Sequence, residues 1–312
     1  MPFTNSTAAG YALLNMHAMD MYRNSPGSLR PQPAPGLTAA GWTILGYITG
    51  NDALIRNGPI GLADQTVCYG YLASRAPNEL VAVIRGTDSF SEWIEDAEFL
   101  TRPYAPRIGL PPGAPAMRVE QGFWGVYATM ALLDPGGVSL GLLAPAIAGV
   151  VGGAGRVTII GHSLGSAVGT YLTLDLSRGD LQGRVAACLF ASPRPGDQAF
   201  VSFFDHTVVD YRLFNYILDL VPRVPPGPDY FPLPRRTVIQ PTTAEAIIRV
   251  GVACSHHVVC YAGMLDYEGT RAATTPVPDG EQGSLACILG PETGKPSLAK
   301  QLVSDLAGVA PA

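Results

Sequence analysis

The chain has 312 residues, of which 47% are hydrophobic and 14% are charged, whereas an average soluble domain carries about 25% charged residues. This composition excludes intrinsic disorder, and the 36 glycines and 28 prolines follow no period that would indicate collagen or a low-complexity chain. The formal net charge of −5, without a run of Lys or Arg, argues against a nucleic-acid partner.

The first predicted element is an amphipathic helix at the N-terminus, where Asn15, His17 and Asp20 interrupt the apolar residues. This segment lacks the basic start and the small-residue cleavage site of a secretory signal, so no export signal is predicted and the localisation is left open. The longest apolar stretch, residues 140–154, is broken by Pro145 and by glycines, which argues against a transmembrane segment.

The following elements indicate an α/β protein. Residues 42–48 predict a short strand or helix, and two β-type runs at 66–73 and 80–85 predict a hairpin. Helices and strands then alternate in this order: helix 121–133, strand 156–160, helix 163–176, strand 185–191, helix 197–207, strand 209–215 and helix 257–265. Because the strands are apolar on both faces, we expect a mostly parallel central sheet with helices on both sides.

The chain is predicted to form a single domain over residues 1–312, since it shows no internal repeat and no second core. The Pro-rich segment 222–241 is expected to be a long ordered loop. The five cysteines are odd in number and form no CxxC pair, which favours buried thiols over a disulfide framework or a zinc site and leaves one bridged pair open.

Residues 161–165 read Gly-His-Ser-Leu-Gly and lie between a predicted strand and a predicted helix. Glycines on both sides of a serine permit the sharp strand-to-helix turn that lifts a nucleophilic hydroxyl clear of the sheet. Because the helix begins beneath the developing negative charge, we expect the Leu164 N–H to donate to the oxyanion. The motif alone is common, but in this context it predicts Ser163 as a nucleophile.

A serine nucleophile needs a base, and in this architecture the acid and the histidine follow the serine along the chain. Among the five histidines, His17 precedes the serine and His162 lies inside the turn, where its ring points away from the serine hydroxyl. His206 lies within a predicted helix, which favours a structural role. The base is therefore expected in the pair His256 and His257.

Asp219 is the favoured acid, because it follows strand 209–215 after a short loop, and sites in open α/β sheets form at the C-terminal ends of strands. Its structural alternative is a turn-capping aspartate. Four other aspartates are better interpreted as residues of a helix cap, an element junction or a loop: Asp197, Asp205, Asp210 and Asp229.

A second oxyanion donor is expected in the loop after an earlier strand. The apolar strand 80–85 ends at Arg85, and Gly86 and Thr87 follow it. The N–H and the hydroxyl of Thr87 can both donate, and Gly86 lets the backbone approach a substrate carbonyl. A plain turn capped by Asp88 is the structural alternative.

Six segments, in order, resemble the class 3 lipase family, which comprises fungal-type triacylglycerol lipases and their bacterial relatives. They run between residues 81 and 265 and read VAVIRGTDSFSEWIEDAEF, QGFWGVY, VTIIGHSLGSAVG, FASPRPGDQAF, DYRLFNYILDLVPRVPP and SHHVVCYAGML. The resemblance implies an α/β-hydrolase fold with Ser163 as nucleophile, Asp219 as acid and a following histidine as base. It also implies an oxyanion hole made by Thr87 and Leu164.

The resemblance bears on two further features. The spacing to a later tyrosine in bacterial relatives selects His256 as the base, with His257 as the alternative. Segment 88–104 corresponds to a short helical lid with its hinge. Within it, Phe90, Trp93 and Ile94 share an apolar face that would cover the acyl pocket; the alternative is a plain surface helix.

The implied function is hydrolysis of carboxylic esters through an acyl-enzyme, most simply by a lipase that releases fatty acids from acylglycerols. A phospholipase A1, a short-chain esterase or an acyltransferase would use the same residues, and a catalytically silent binding protein is the alternative from another class. The expected partners are a lipid or ester substrate and, transiently, a lipid–water interface. No metal or organic cofactor is called for. A phospholipase would need cations at the mouth of the site, for which Arg85 and Arg102 are candidates.

Overall fold

The computed structural model describes residues 3–51, 65–76, 78–87, 99–106, 110–153, 155–274 and 285–291. The strands are β1 (Thr43–Asn51), β2 (Thr66–Arg75), β3 (Glu79–Ile84), β4 (Thr101–Pro103), β5 (Arg118–Glu120), β6 (Ala131–Leu133), β7 (Ser139–Leu142), β8 (Val157–His162), β9 (Val185–Phe190), β10 (Tyr211–Tyr216), β11 (Arg236–Ile239), β12 (Ile247–Ile248) and β13 (Ile288–Gly290).

The helices are α1 (Asn5–Asn24), α2 (Pro35–Ala39), α3 (Gln121–Thr129), α4 (Leu143–Val151), α5 (Leu164–Arg178), α6 (Gln198–Thr207), α7 (Val252–His256), α8 (Val258–Leu265) and α9 (Tyr267–Thr274). A 3-10 turn covers Val221–Arg223. Among the helices of the described ranges, none combines the length and the apolar character that crossing a bilayer requires.

Over the described residues the central sheet has the strand order β11-β10-β9-β8-β3-β2-β1-β6-β7. Strands β3, β8, β9, β10 and β11 run parallel, as the alternation of strands and helices predicts. The other half is antiparallel and begins with the predicted hairpin of β2 and β3, in which Tyr71 lies opposite Val83. The nucleophile motif follows β8, in the parallel half.

Helices cover both faces of the sheet, which confirms the expected layers. In β3, Val81 and Val83 join the core under α1 and α8, whereas Ala82 and Ile84 join the core under α3, α4 and α5. This division follows from the two-residue period of a strand, which sends successive side chains to opposite faces. Because both faces are buried, the parallel strands read as continuous apolar runs.

Two predicted elements differ in the structure, and one helix was not predicted. The helix predicted over 121–133 ends at Thr129, because residues 131–133 instead pair with β1 as strand β6. The predicted loop 222–241 contains strand β11, which begins two residues after Pro234. This strand pairs in parallel with the edge of β10 that faces away from β9. Helix α9 follows the last predicted helix. In the first two cases strand pairing decides the conformation, which local propensity does not report.

The cysteines divide into one bridge and three thiols. Cys254 and Cys287 form a disulfide across 33 positions of the chain. The thiols of Cys68, Cys188 and Cys260 are buried, as the sequence favours. The bridge joins α7 to the segment before β13, which also pairs with β12.

Candidate active site

Ser163 occupies the turn between the end of β8 and the start of α5. Its backbone has φ +58° and ψ −129°, a left-handed conformation that costs a non-glycine residue about 1–3 kcal/mol. The Ser163 N–H donates to the Phe190 carbonyl at 3.0 Å, which ties the turn to the neighbouring strand β9. The local sequence therefore folds into the strained turn that the Gly-x-Ser-x-Gly pattern predicts.

The two glycines of the motif are required by close backbone contacts. A Cβ at Gly161 would lie closer than 3.0 Å to backbone atoms of Gly165 and Ser166. A Cβ at Gly165 would collide with the carbonyl oxygens of Ile84 and Arg85 on strand β3 and its end. Any larger residue would push the helix away from the sheet and displace the serine.

The structure brings Ser163, His256 and Asp219 into one hydrogen-bonded row. His256 Nε2 lies 3.0 Å from Ser163 Oγ, and His256 Nδ1 lies 2.9 Å from Asp219 Oδ2. The Asp219 side chain is 1% exposed and the His256 side chain is 13% exposed. Of the two adjacent histidines, His256 is the one in the row, while His257 is the residue between α7 and α8.

Asp219 is held by donors on both carboxylate oxygens. Its Oδ1 accepts the Val221 N–H at 2.9 Å, and its Oδ2 accepts the Tyr261 hydroxyl at 2.8 Å in addition to the histidine. Tyr261 in turn accepts the Tyr216 N–H at 2.9 Å. Burial raises the pKa of Tyr261 well above its ordinary value, so the phenol stays protonated and donates to the acid.

Tyr261 was not recognised from the sequence as part of the site. Its distance from His256 served only to choose between two histidines, and no local pattern shows that its hydroxyl reaches Asp219, 42 positions earlier. One available signal was its place on α8, a helix whose residues are all buried, because a buried tyrosine hydroxyl usually has a hydrogen-bond partner.

His162 supports the segment that carries His256. The His162 Nε2 lies 2.7 Å from the His256 carbonyl oxygen, and the two rings are 4.7 Å apart. Burial, together with the nearby His256 ring, lowers the pKa of His162 well below its ordinary value, so this ring is neutral and donates from Nε2. The His162 ring thus holds the backbone of His256 in place.

The loop after β3 lies against Ser163. A Cβ at Gly86 would sit 2.9 Å from the Ser163 Cβ, so a side chain at this position would crowd Ser163. The Thr87 residue is 7% exposed, and Leu164 is the first residue of α5. The expected lid residues Phe90, Trp93 and Ile94 lie outside the described residues.

The competing histidine and acids lie in structural contexts. His206 is exposed in the last turn of α6. The Asp197 side chain accepts the Phe200 N–H at 2.8 Å as the N-cap of that helix, and Asp205 forms an ion pair with Arg235. These positions agree with the structural roles predicted from the sequence, in which His206 lies in a helix, Asp197 caps it and Asp205 lies at the junction that follows.

Comparison with known proteins gives concordant matches. Residues 81–228 match the family Lipase (class 3). The chain is 24% identical over 256 residues to "Phospholipase A1-II 3" of Oryza sativa subsp. indica, with 76% of this chain and 57% of that protein covered. It is 31% identical over 150 residues to "Lipase" of Rhizomucor miehei, with 46% of this chain and 37% of that protein covered. The chain thus spans little more than half of the rice protein's length.

A solved structure shares the fold. The Rhizomucor miehei lipase propeptide complex superposes with a TM-score of 0.54 at 20% identity, with 83% of this chain and 78% of that chain covered. The expected α/β-hydrolase fold, with helices on both faces of the sheet, is therefore confirmed.

Proposed function

We propose that this chain is a class 3 lipase, because residues 81–228 match that family, and that it is a serine hydrolase that releases fatty acids from acylglycerols. The observation that carries the proposal is the row of hydrogen bonds from Ser163 through His256 to Asp219. A serine hydroxyl is a weak nucleophile unless a base accepts its proton, and this row supplies the base and an acid that orients it.

The reaction proceeds by acyl transfer to water. His256 accepts the proton of Ser163 as Oγ attacks the ester carbonyl, and Asp219 stabilises the imidazolium that forms. The imidazolium protonates the departing alcohol, which leaves an acyl-enzyme on Ser163. The neutral imidazole then takes a proton from water as the water oxygen bonds to the acyl carbon. The imidazolium returns that proton to Ser163 Oγ as the acyl bond breaks and the fatty acid leaves.

The negative oxygen of the tetrahedral intermediate is assigned to the N–H groups of Thr87 and Leu164. Leu164 begins a 15-residue helix, so its N–H lies at the positive end of the helix dipole. The contact of Gly86 with Ser163 supports a location of the next residue beside the same oxygen. Each such donor contributes about 10²–10³ in turnover in related chemistry.

Contact with a lipid–water interface is part of the proposal. Three large apolar residues near the helix of the base are strongly exposed, with exposed fractions of 71% for Val250, 60% for Val252 and 57% for Leu289. Val252 begins α7 and Leu289 lies in β13, which the disulfide connects to α7. Exposed apolar residues gathered at one place are typical of a surface that meets another apolar phase.

The experiment is a substrate series with wild-type protein and a Ser163→Ala variant. We expect hydrolysis of p-nitrophenyl esters and of emulsified triglyceride by wild type alone. Equal background rates for the two proteins on every substrate would contradict the proposal and favour the silent binding protein. Added alcohol in the same assay distinguishes hydrolysis from acyl transfer, because an acyltransferase would form the new ester.

A phospholipase A1 is the second candidate, because a groove beside Asp219 is lined by arginines. Arg194, Arg223 and Arg236 line a cavity of about 220 Å³ there, and within the described ranges these three form no ion pair with a carboxylate. Burial and the charge of Arg236 lower the pKa of Arg194, which indicates like charges held close together. Three guanidinium groups suit a phosphate group.

The two cations considered from the sequence have different positions. Arg85 is fully buried and cannot meet a head group at the mouth of the site, whereas Arg102 is exposed in β4. An Arg223→Ala/Arg236→Ala variant tests the second candidate. If phospholipids are substrates, the ratio of phosphatidylcholine to triglyceride hydrolysis falls about tenfold. An unchanged ratio would show that the arginines of this groove do not bind the phospholipid head group.

A further inference from the structure

Arg85 is among the largest fully buried side chains of the protein, with an exposed fraction of 0%, and it lies directly before Gly86 and Thr87. A guanidinium stays charged at all relevant pH values, and a buried charge is costly unless it is paired. The ion pairs within the described ranges do not include Arg85. Among the described residues, this buried cation therefore has no carboxylate partner, and it lies directly before the predicted oxyanion loop.

The contacts of the guanidinium are to backbone carbonyls and aromatic rings. Its Nε donates to the Cys68 carbonyl at 3.0 Å, and its Nη1 donates to the Gly86 carbonyl at 2.7 Å. The central carbon lies 3.5 Å from the ring centroid of Tyr22 and 4.8 Å from that of Tyr69. The buried Nη2 has no hydrogen-bond partner within the described part of the chain.

We propose that Arg85 is a positioning residue, which orients the Thr87 N–H toward the oxyanion by holding the carbonyl of the same peptide group. The Gly86 C=O and the Thr87 N–H belong to one planar trans peptide unit, in which they point in opposite directions. A donor that fixes the carbonyl on the inner side therefore fixes the N–H on the outer side. The inference rests on the proposed function, since only a developing oxyanion needs that donor.

The charge of Arg85 has an effect beyond orientation. A hydrogen bond from a cation to a carbonyl is stronger than one between neutral groups, and in a low-dielectric interior it polarises the peptide unit. Electron density drawn toward the Gly86 oxygen makes the Thr87 N–H a stronger donor. Among the described residues, the hydrogen-bond partners of the guanidinium are carbonyl groups, so its positive charge acts on the Gly86 peptide unit.

The backbone before the peptide unit is fixed as well. The Arg85 N–H donates to the Tyr69 carbonyl at 2.8 Å, and the Asn15 side-chain amide donates to the Ile84 carbonyl at 2.8 Å. Asn15 lies on α1 and is 1% exposed, so the N-terminal helix contributes a buried donor to this strand end. The chain is thus held rigidly up to Arg85, and the guanidinium sets the rotation of the next peptide unit but one, which consists of the Gly86 C=O and the Thr87 N–H.

Lysine would be a poor replacement at this position. The guanidinium fork reaches the Cys68 and Gly86 carbonyls at once and stacks on two rings, whereas an ammonium is a single point of charge with strong hydration. An Arg85→Lys variant therefore keeps the charge and loses the geometry, which makes it the more informative substitution.

The test measures kcat and KM separately on a soluble p-nitrophenyl ester for wild type, Arg85→Lys and Arg85→Ala. Because the oxyanion exists only in the transition state, we expect kcat to fall about 10–100-fold in both variants with KM within about twofold. The matched control is Tyr71→Phe, which removes a buried 2.8 Å hydrogen bond to the Leu14 carbonyl of the same helix α1. It should lower the melting temperature and leave kcat unchanged.

Chemical rescue separates positioning from stability. Guanidinium added far below denaturing concentrations should raise kcat of Arg85→Ala several-fold by filling the site between the tyrosine rings. Urea and methylammonium should not do so, and neither wild type nor Tyr71→Phe should respond. If Arg85→Ala does not fold, Arg85→Lys supplies the result through its kcat at temperatures where its spectrum is native.

The inference is overturned if folded Arg85→Lys has the kcat of wild type, or if the loss of kcat in Arg85→Lys only follows the unfolded fraction of that variant as the temperature rises. A wild-type protein without any Ser163-dependent turnover would instead overturn the proposed function, and the inference with it. An active wild type with fully active Arg85 variants would overturn the inference alone, so the two failures are distinguishable.

Discussion

The proposed nucleophile and the proposed base are built by two different kinds of structure. Ser163 lies in a five-residue turn whose shape depends on the glycines next to it and on strands that adjoin it. His256 lies at the end of a five-residue helix, and its partners come from distant parts of the chain. His162 is 94 positions away, Asp219 is 37 positions away, and the disulfide on the same helix reaches Cys287.

The difference between these regions teaches where each property is encoded. The turn of the nucleophile is strained yet specified locally, so a change there should remove the function in one step. The helix of the base is short and depends on several contacts that each contribute a part. Changes there should therefore have graded effects.

The largest effect is expected from Ser163 itself. Ser163→Ala and Ser163→Gly should both lower ester turnover by at least about 10⁴-fold, because no other group supplies the nucleophile. Since the backbone φ is +58°, the glycine variant should be more stable than the alanine variant by about 1 kcal/mol. Denaturant unfolding of the pair measures this difference, and equal stabilities would show that the turn is not strained.

The acid and its second donor should differ by a large factor. Asp219→Asn should reduce kcat by about 10³–10⁴-fold, since the amide no longer orients and stabilises the imidazolium. Tyr261→Phe removes only one donor to the Asp219 Oδ2 and should cost about tenfold. Steady-state kinetics on one ester distinguishes them. Losses of the same size in the two variants would contradict this ranking, because the Tyr261 hydroxyl would then matter as much for kcat as the Asp219 carboxylate itself.

The disulfide should affect stability more than chemistry. Removing it with Cys287→Ala frees a loop of 33 positions and should lower the free energy of unfolding by about 3–4 kcal/mol. Turnover should fall less than tenfold where the protein is folded, because His162 and Asp219 still hold the base. A thiol reductant should reproduce the effect in wild type and do nothing further to the variant. Unchanged stability would exclude the bridge as a support of α7.

The smallest effect concerns a buried carboxyl away from the row. Burial raises the pKa of Glu120 to about 7, partly opposed by the backbone N–H groups that it caps, among them that of Phe123 at 2.6 Å. Between about pH 5 and 7 the folded state therefore binds a proton that the unfolded state releases, so the contribution to stability falls as the pH rises.

A Glu120→Gln variant keeps the cap without the charge. It should match wild type near pH 5 and exceed its free energy of unfolding by about 2 kcal/mol at pH 8. Chemical denaturation at the two pH values measures the change. A constant difference between the proteins across this range would mean that the folded pKa is not raised.

The locally encoded parts of the fold and site were predictable. The strand, glycines and helix around Ser163 follow from short patterns, and the chain order of acid and base reduced the five histidines to the pair His256 and His257. The apolar strands indicated the parallel half of the sheet. These predictions rest on periodicity and on steric requirements of single turns, which a sequence displays directly.

The remaining features depend on contacts between distant residues. Strand β11 in the Pro-rich segment exists because β10 offers an edge to it, and the hydroxyl of Tyr261 reaches Asp219 only after α8 packs on the sheet. The direction of the Arg85 side chain could not be predicted, and its burial against Tyr22 and Tyr69 follows from the packing of α1. No residue pattern within one element reports these contacts.

The most direct test of the central claim is covalent labelling with a fluorophosphonate, with the labelled residue identified by peptide mass spectrometry. Wild type and His257→Ala should carry the label on Ser163 at similar rates. In His256→Ala the labelling rate should fall by about 10²–10⁴-fold, because the base that activates the hydroxyl is gone. A label on a different residue, or equal rates in all three proteins, would contradict the account.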